Sequence, residues 1–334
     1  MTSPRPQIAT YLKAAWPGAE ISPIAGDAST RRFFRIRTPD GRTRVLMDHG
    51  QPFDRETDDV RLARVFSAAG LRIAEILDVC GPVGCLLLED LGDELLEVAV
   101  AEEDGRGARG LLERAVVLAA ELADRGTRAL SASDRRDGPV LDGERFRFEM
   151  DFFLEHFAGG WRGCTSIPDG LRGALHDLAA GAADSPRQVL CHRDYHSRNL
   201  MLLANGKLAM VDIQDARWGP DAYDLASLLR DAYVDIDESW IDPLVDLYRS
   251  TLENPPTEGF RARLDRVSVQ RMIKALGTFG YQTTVRKSSR YLGAITRTVQ
   301  RLRRLLPGPS ETAPLYEMLM EAELLEVEEP ASEA

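Results

Sequence analysis

The sequence predicts an α+β fold in which a small, β-rich amino-terminal lobe precedes a larger helical one. Three observations predict it. Residues 20–92 carry strand-like runs around one helical pattern, the texture after Gly92 changes to long helical segments, and Leu91-Gly92 follows an apolar strand as a hinge would. The expected division is 1–92 and 93–334. A chain of 334 residues, 44% of them hydrophobic, has ample material for a core of this size.

The elements follow in order. Arg32-Phe-Phe-Arg-Ile-Arg37, the turn Pro39-Asp-Gly41 and Arg44-Val-Leu-Met-Asp48 predict a hairpin. Residues 53–69 set Val60, Leu62, Ala63, Val65 and Phe66 at helical spacing, and residues 76–79 and 86–89 add two strands. Helical periodicity then marks 111–122, 146–157, 223–233, 267–279 and 294–306. Residues 317–334 read as an acidic apolar helix fading into a solvated tail.

Composition excludes several classes of function. A net charge of −11 with dispersed basic residues argues against nucleic-acid binding. No apolar run approaches a bilayer span and none follows the basic residues at the start, so neither a membrane anchor nor a signal peptide is expected. Cys80, Cys85, Cys164 and Cys191 are too scattered for a disulfide framework and read as reduced thiols of a cytoplasmic protein. An anionic substrate must therefore be held by local cations, a metal or backbone amides, because the overall field repels it.

The chemistry concentrates in residues 189–215. Asn205-Gly206 is a strong two-residue hairpin signal between the apolar runs 200–203 and 208–211. As a two-residue loop it pairs Ala204 with Lys207, Leu203 with Leu208 and finally Asn199 with Asp212. Opposed residues share a face with Cβ atoms about 4.5–5.5 Å apart, so an amide oxygen and a carboxylate meet as hard ligands suited to Mg2+. Asp194, on the preceding loop, is placed to orient a substrate hydroxyl and receive its proton. His192 is expected to brace the loop through the backbone. The expected reaction is Mg2+-dependent phosphoryl transfer from ATP to a small-molecule hydroxyl.

His192-Arg-Asp194-Tyr-His-Ser-Arg-Asn199 and Val211-Asp212-Ile-Gln-Asp215 resemble the H-x-D-x-x-x-x-N catalytic loop and I-D-x-x-D segment of the aminoglycoside phosphotransferase and choline-kinase-like family. The resemblance implies a two-lobed protein-kinase-like fold, with Asp194 as catalytic base and Asn199 and Asp212 as magnesium ligands. The short stretch between Asp212 and Asp221 has no room for an activation loop, which favours a small-molecule substrate. Four further blocks resemble bacterial kinases that phosphorylate N-acetylmuramate and N-acetylglucosamine at the anomeric hydroxyl in cell-wall recycling. They are Gly26-Asp-Ala-Ser-Thr-Arg-Arg-Phe-Phe-Arg35, Val45-Leu-Met-Asp48, residues 214–231 and Gln270-Arg-Met-Ile-Lys-Ala-Leu-Gly-Thr-Phe279. This closer resemblance implies an α-1-phosphate product.

The remaining candidates complete the expected site. Ser29, Thr30 and Arg31 belong to a candidate phosphate-covering loop, and Glu89, Asp90 and Leu91 offer backbone groups to adenine, flanked by Leu86, Leu88 and Met201. Met47 stands where a kinase-like strand normally carries a lysine, so Arg31 or Arg32, oriented by Glu56 or Asp59, is expected to grip the phosphates. Glu149, Asp215 and Arg230 are the candidate sugar contacts, with Arg230 for the muramate carboxylate. Asp221 is expected to cap the next helix and Asp224 to bond back to the catalytic loop. Kinases of aminoglycosides, choline or homoserine, and a nucleotide-binding pseudokinase, are the alternatives.

Overall fold

The computed structural model describes residues 3–24, 31–54, 56–131, 134–135, 138–256, 258–308 and 312–326. Helix α1 (Pro6–Ala15) leads into β1 (Glu20–Ile24), β2 (Arg32–Arg37) and β3 (Thr43–Asp48), then α2 (Asp58–Ala68), β4 (Ile76–Cys80) and β5 (Cys85–Glu89). The five strands form one antiparallel sheet in the order β1-β2-β3-β5-β4. Alternation along the strands decides what each face covers. Phe34, Ile36, Leu46 and Leu87 pack on Ile8 and Leu12 of α1, whereas Met47 and Leu86 pack with Val60 of α2. Helix α1 was not among the expected elements; of its ten residues only Ile8 and Leu12 are buried.

Gly92, at φ +92°, separates the sheet from α3 (Leu96–Glu102) and α4 (Gly105–Glu121). Beyond α4 come α5 (Gly143–Phe153), which continues as a π-helix Leu154–Trp161, and α6 (Leu171–Ala183). Two small ribbons follow: β6 (Gln188–Cys191) pairs with β9 (Arg217–Pro220), and β7 (Leu200–Leu202) with β8 (Leu208–Met210). Then come α7 (Tyr223–Leu229), α8 (Glu238–Thr251), α9 (Phe260–Thr284), α10 (Leu292–Leu305) and α11 (Ala313–Glu321). Helix α9 runs through the core and lies against α5 at a distance only glycine permits. A Cβ on Gly277 would stand 2.9 Å from Phe153 Cα, and one on Gly280 would stand 2.5 Å from His156 O. The fold is the predicted two-lobed, kinase-like one. Among the described residues no helix is long and apolar enough to cross a membrane.

Two local expectations are corrected. The β7–β8 loop has three residues, not two: Gly206 N donates to Leu203 O at 2.8 Å and Leu203 N to Lys207 O at 2.9 Å, with Gly206 at φ +76°. This is a turn closed by a left-handed glycine, the common three-residue hairpin. The register therefore pairs Leu200 with Met210, and Asn199 stands opposite Val211, whose N–H donates to Asn199 O at 3.0 Å, and not opposite Asp212. Asp221 is not the cap of α7, since Ala222 holds that position and the buried Asp221 carboxylate accepts from Ser185 Oγ at 3.0 Å.

Candidate active site

The loop from His192 to Asn199 is held from beneath by two buried carboxylates. Asp224, in the first turn of α7, accepts from His192 N at 2.6 Å and Arg193 N at 3.0 Å. Asp231 accepts from Ser197 N at 2.6 Å and Tyr233 N at 2.8 Å, which also ends α7 before residue 233. Arg193 between them sits at φ +80°, a conformation that costs a side-chain-bearing residue roughly 1–2 kcal/mol. Two hydrogen bonds to one carboxylate, each worth about 1.5–3 kcal/mol, outweigh that cost. His192 Nε2 donates to Val211 O at 2.8 Å, so the ring ties the loop to the segment before Asp212, as expected. Burial raises the Asp224 carboxyl to about 6, while the nearby His192 and the two backbone donors pull it down.

Asp194 projects from this loop into a cavity of about 850 Å³ whose wall is rich in charge. Lys274 Nζ donates to its Oδ1 at 2.8 Å and Arg271 Nη1 reaches the same oxygen at 3.5 Å. Burial would push this carboxyl up, but Lys274, Arg271 and Arg193 prevail and hold it well below the usual carboxylate range. Burial likewise lowers Lys274, against the pull of Asp194. Asn199 Nδ2 donates to Asp194 O at 2.9 Å, which leaves its amide oxygen as an acceptor. Asp212 sits at φ +62° and is exposed, its Oδ1 accepting from Gln214 Nε2 at 2.8 Å. Despite the shifted register, Asn199 and Asp212 line the same space because Asp212 leaves the strand in a left-handed conformation. One free amide oxygen and one exposed carboxylate fit a hard cation that takes its other ligands from phosphate and water.

A second cavity, about 630 Å³, adjoins the first and is more apolar, with Met47, Leu86, Leu88, Met201 and Met210 among its walls and Arg35, Asp90, Glu97 and Arg198 on its polar side. Asp59, Asn199, Asp212 and Gln214 line both cavities, so the charged and apolar spaces meet at the proposed metal ligands. Glu89 and Leu91 line the apolar cavity. The Glu89 side chain is taken by Arg72 and its N–H donates to Glu75 O at 2.9 Å.

The structure separates the two candidate arginines. Arg31 lines the charged cavity and pairs with Asp59 of α2 at 3.1 Å, beside His49. Arg32 lines neither cavity and pairs with the buried Asp48 at 2.6 Å. Ser29 and Thr30 lie outside the described residues. Asp215 reaches the charged cavity, where Arg193 and Arg217 flank it at 3.1 and 3.2 Å. Arg230 also lines that cavity, its Nη1 engaged by Glu238 at 2.8 Å. Glu149 does not reach it: the carboxylate is buried behind the site, accepting from Gln270 Nε2 at 2.9 Å. Sequence reasoning overlooked Lys274, Arg271 and His49 as site residues. The available signal for the first two was a pair of cations three apart inside a helix whose neighbours, Met272, Ile273 and Leu276, are core residues.

The profile of the phosphotransferase enzyme family matches residues 20–261. A protein of Neisseria meningitidis serogroup B named N-acetylmuramate/N-acetylglucosamine kinase is 29% identical over 326 residues, spanning 94% of this chain and 95% of that protein. A protein of the same name from Pseudomonas aeruginosa is 31% identical over 92% of this chain and 91% of its own length. Among solved structures, choline kinase LicA from Streptococcus pneumoniae superposes with a TM-score of 0.64 at 11% identity, over 89% of this chain and 97% of that one. A choline/ethanolamine kinase family protein from Mesorhizobium loti gives 0.62 at 16% identity, over 94% and 98%. The structural likeness is one of fold, and the profile match covers well over half of the sequence: the chain belongs to the phosphotransferase enzyme family and is a kinase with a hydroxyl group as acceptor.

Proposed function

We propose that the chain transfers the γ-phosphoryl group of ATP, with Mg2+, to the anomeric hydroxyl of N-acetylmuramate and N-acetylglucosamine, giving the α-1-phosphate in cytoplasmic recycling of cell-wall sugars. The observation that carries the reading is the meeting of an apolar and a charged cavity at Asn199 and Asp212, with Asp194 on the charged side. The names of the two relatives, which align over more than nine-tenths of both chains, support the choice of sugar.

Adenine fits between Leu88 and Met210 in the apolar cavity, with the backbone around Leu91 as its polar edge. The nucleotide-holding part is then 1–92 and the acceptor-holding part 93–334. Asn199 and Asp212 would hold the magnesium ion, which when bound neutralises phosphate charge. Asp194 orients the acceptor hydroxyl and takes its proton, so the residues contribute position and charge balance. Arg31, oriented by Asp59, supplies the cation that Met47 cannot. Asp215 and Arg230 face the sugar, and Glu149 lies behind the site, bonded to Gln270 and 3.9 Å from Arg193.

An acceptor screen tests the reading. Purified protein with ATP and Mg2+ should release ADP with N-acetylglucosamine and N-acetylmuramate and not with choline, kanamycin or homoserine. Phosphorus NMR of the product should show an α-anomeric phosphate coupled to H1. A phosphate on any other hydroxyl, or turnover confined to choline or kanamycin, would overturn it.

A further inference from the structure

We propose that Lys274 is a positioning residue of the transfer reaction, gripping Asp194 by Oδ1 so that Oδ2 is the oxygen turned to the acceptor hydroxyl. This rests on the reading of Asp194 as the base and goes beyond it. The two oxygens of Asp194 are unequal. Lys274 Nζ at 2.8 Å and Arg271 Nη1 at 3.5 Å both address Oδ1, and among the described residues no donor reaches Oδ2.

The clamp is built on rigid parts. Arg271 is fixed by Tyr223 OH at 3.0 Å and Ser227 Oγ at 2.7 Å, with its guanidinium over the Tyr223 ring at 4.9 Å. Lys274 lies one turn further along the same face of α9, its side chain 15% exposed. That helix is itself seated on α5 through Gly277 and Gly280, where any Cβ would collide with backbone. A group held by locked neighbours on a helix keeps its geometry better than one on a loop.

The chemistry gives the clamp a task. As the acceptor oxygen bonds to the γ-phosphorus, the bond from phosphorus to the β,γ-bridging oxygen breaks, and ADP leaves with that electron pair. The hydroxyl proton passes to Asp194 Oδ2. The carboxylate then loses its charge, and the Lys274 ammonium, which lines the same cavity, is left facing the negative charge newly placed on the acceptor.

The test is steady-state kinetics with ATP and, in turn, N-acetylglucosamine, an acceptor without a carboxylate, and N-acetylmuramate, on wild type, K274M, K274R, K274A and D194N. The clamp predicts that K274M loses kcat by roughly 10²-fold while KM for ATP stays within about threefold. K274R should retain part of the activity, and ethylammonium should partly restore K274A. A folded K274M with kcat within about threefold of wild type would overturn the clamp. So would a defect seen only as a raised KM for N-acetylmuramate, which would make Lys274 a reader of the sugar carboxylate. Should K274M fail to fold, K274A decides: a lowered kcat partly restored by ethylammonium supports the clamp, and a kcat within about threefold of wild type, or a loss that ethylammonium does not touch, sinks it. An active D194N would instead overturn the reading of Asp194 beneath it, so the two failures are distinguishable.

Discussion

The side of this site proposed for the nucleotide and the side proposed for the acceptor are built by different means. The nucleotide side is a sheet face, where alternating residues of β3 and β5 present Met47, Leu86 and Leu88, the cations Arg35 and Arg198 are paired with Asp90 and Glu97, and Arg31, paired with Asp59, stands in the adjoining charged cavity. The acceptor side is a junction of helices and a braced loop, where Arg193, Arg271 and Lys274 surround one carboxylate. The contrast teaches where charge is spent. A purine needs an apolar slot and few polar contacts, whereas a phosphoryl group moving to a hydroxyl needs fixed cations on both sides of its path.

Variants can break or sharpen that contrast, and the largest effect belongs at the seam. Replacing Asp212 with Asn removes the exposed carboxylate shared by both cavities. Turnover should fall by about 10²–10³-fold, and the Mg2+ concentration for half-maximal rate should rise, as read from a metal titration. On the nucleotide side, R31A should raise KM for ATP by about tenfold, the loss of about 1.4 kcal/mol of binding. Unchanged KM would remove Arg31 from the phosphates.

Arg32 should behave in the opposite way. Its partner Asp48 is wholly buried and also accepts from Arg5 Nε at 2.9 Å and Gly50 N at 2.8 Å. R32A leaves Oδ2 without its donor, at about 1–3 kcal/mol, so thermal unfolding should come earlier while KM for ATP stays within about twofold. The smallest effect is a pH dependence of stability at Asp224. Burial first raises its folded value to about 6, above the ordinary 3.8, so the folded state binds this proton more tightly. Its contribution to stability is full below about pH 4 and is lost as pH rises through about 6. The melting temperature of D224N should lack that component, which a comparison of melting curves between pH 4 and 7 would show.

Legibility followed sequence distance. The hairpin of β2 and β3 was legible within a residue, because alternation and a Pro-Asp-Gly turn are local signals. Asp194, Asn199 and Asp212 were legible as a group for the same reason, although the register between the last two was misread by one. Asn205-Gly206 suits a two-residue loop, but here Ala204 joins the turn and Gly206 takes the left-handed position that closes it. What could not be read locally was what reaches the site from afar. Lys274 meets Asp194 across 80 residues of sequence, and Asp231 meets Ser197 across 34. Glu149 was drawn into the site by its acidic character, yet it faces Gln270 because α5 presents that side to α9.

The most direct measurement is a crystal structure of the chain with magnesium, a non-hydrolysable ATP analogue and N-acetylglucosamine. The account predicts adenine between Leu88 and Met210, the metal on Asn199 Oδ1 and Asp212, and the anomeric oxygen within hydrogen-bond distance of Asp194 Oδ2. A metal bound by other residues, or a sugar lying outside the charged cavity with its anomeric oxygen away from Asp194, would contradict it.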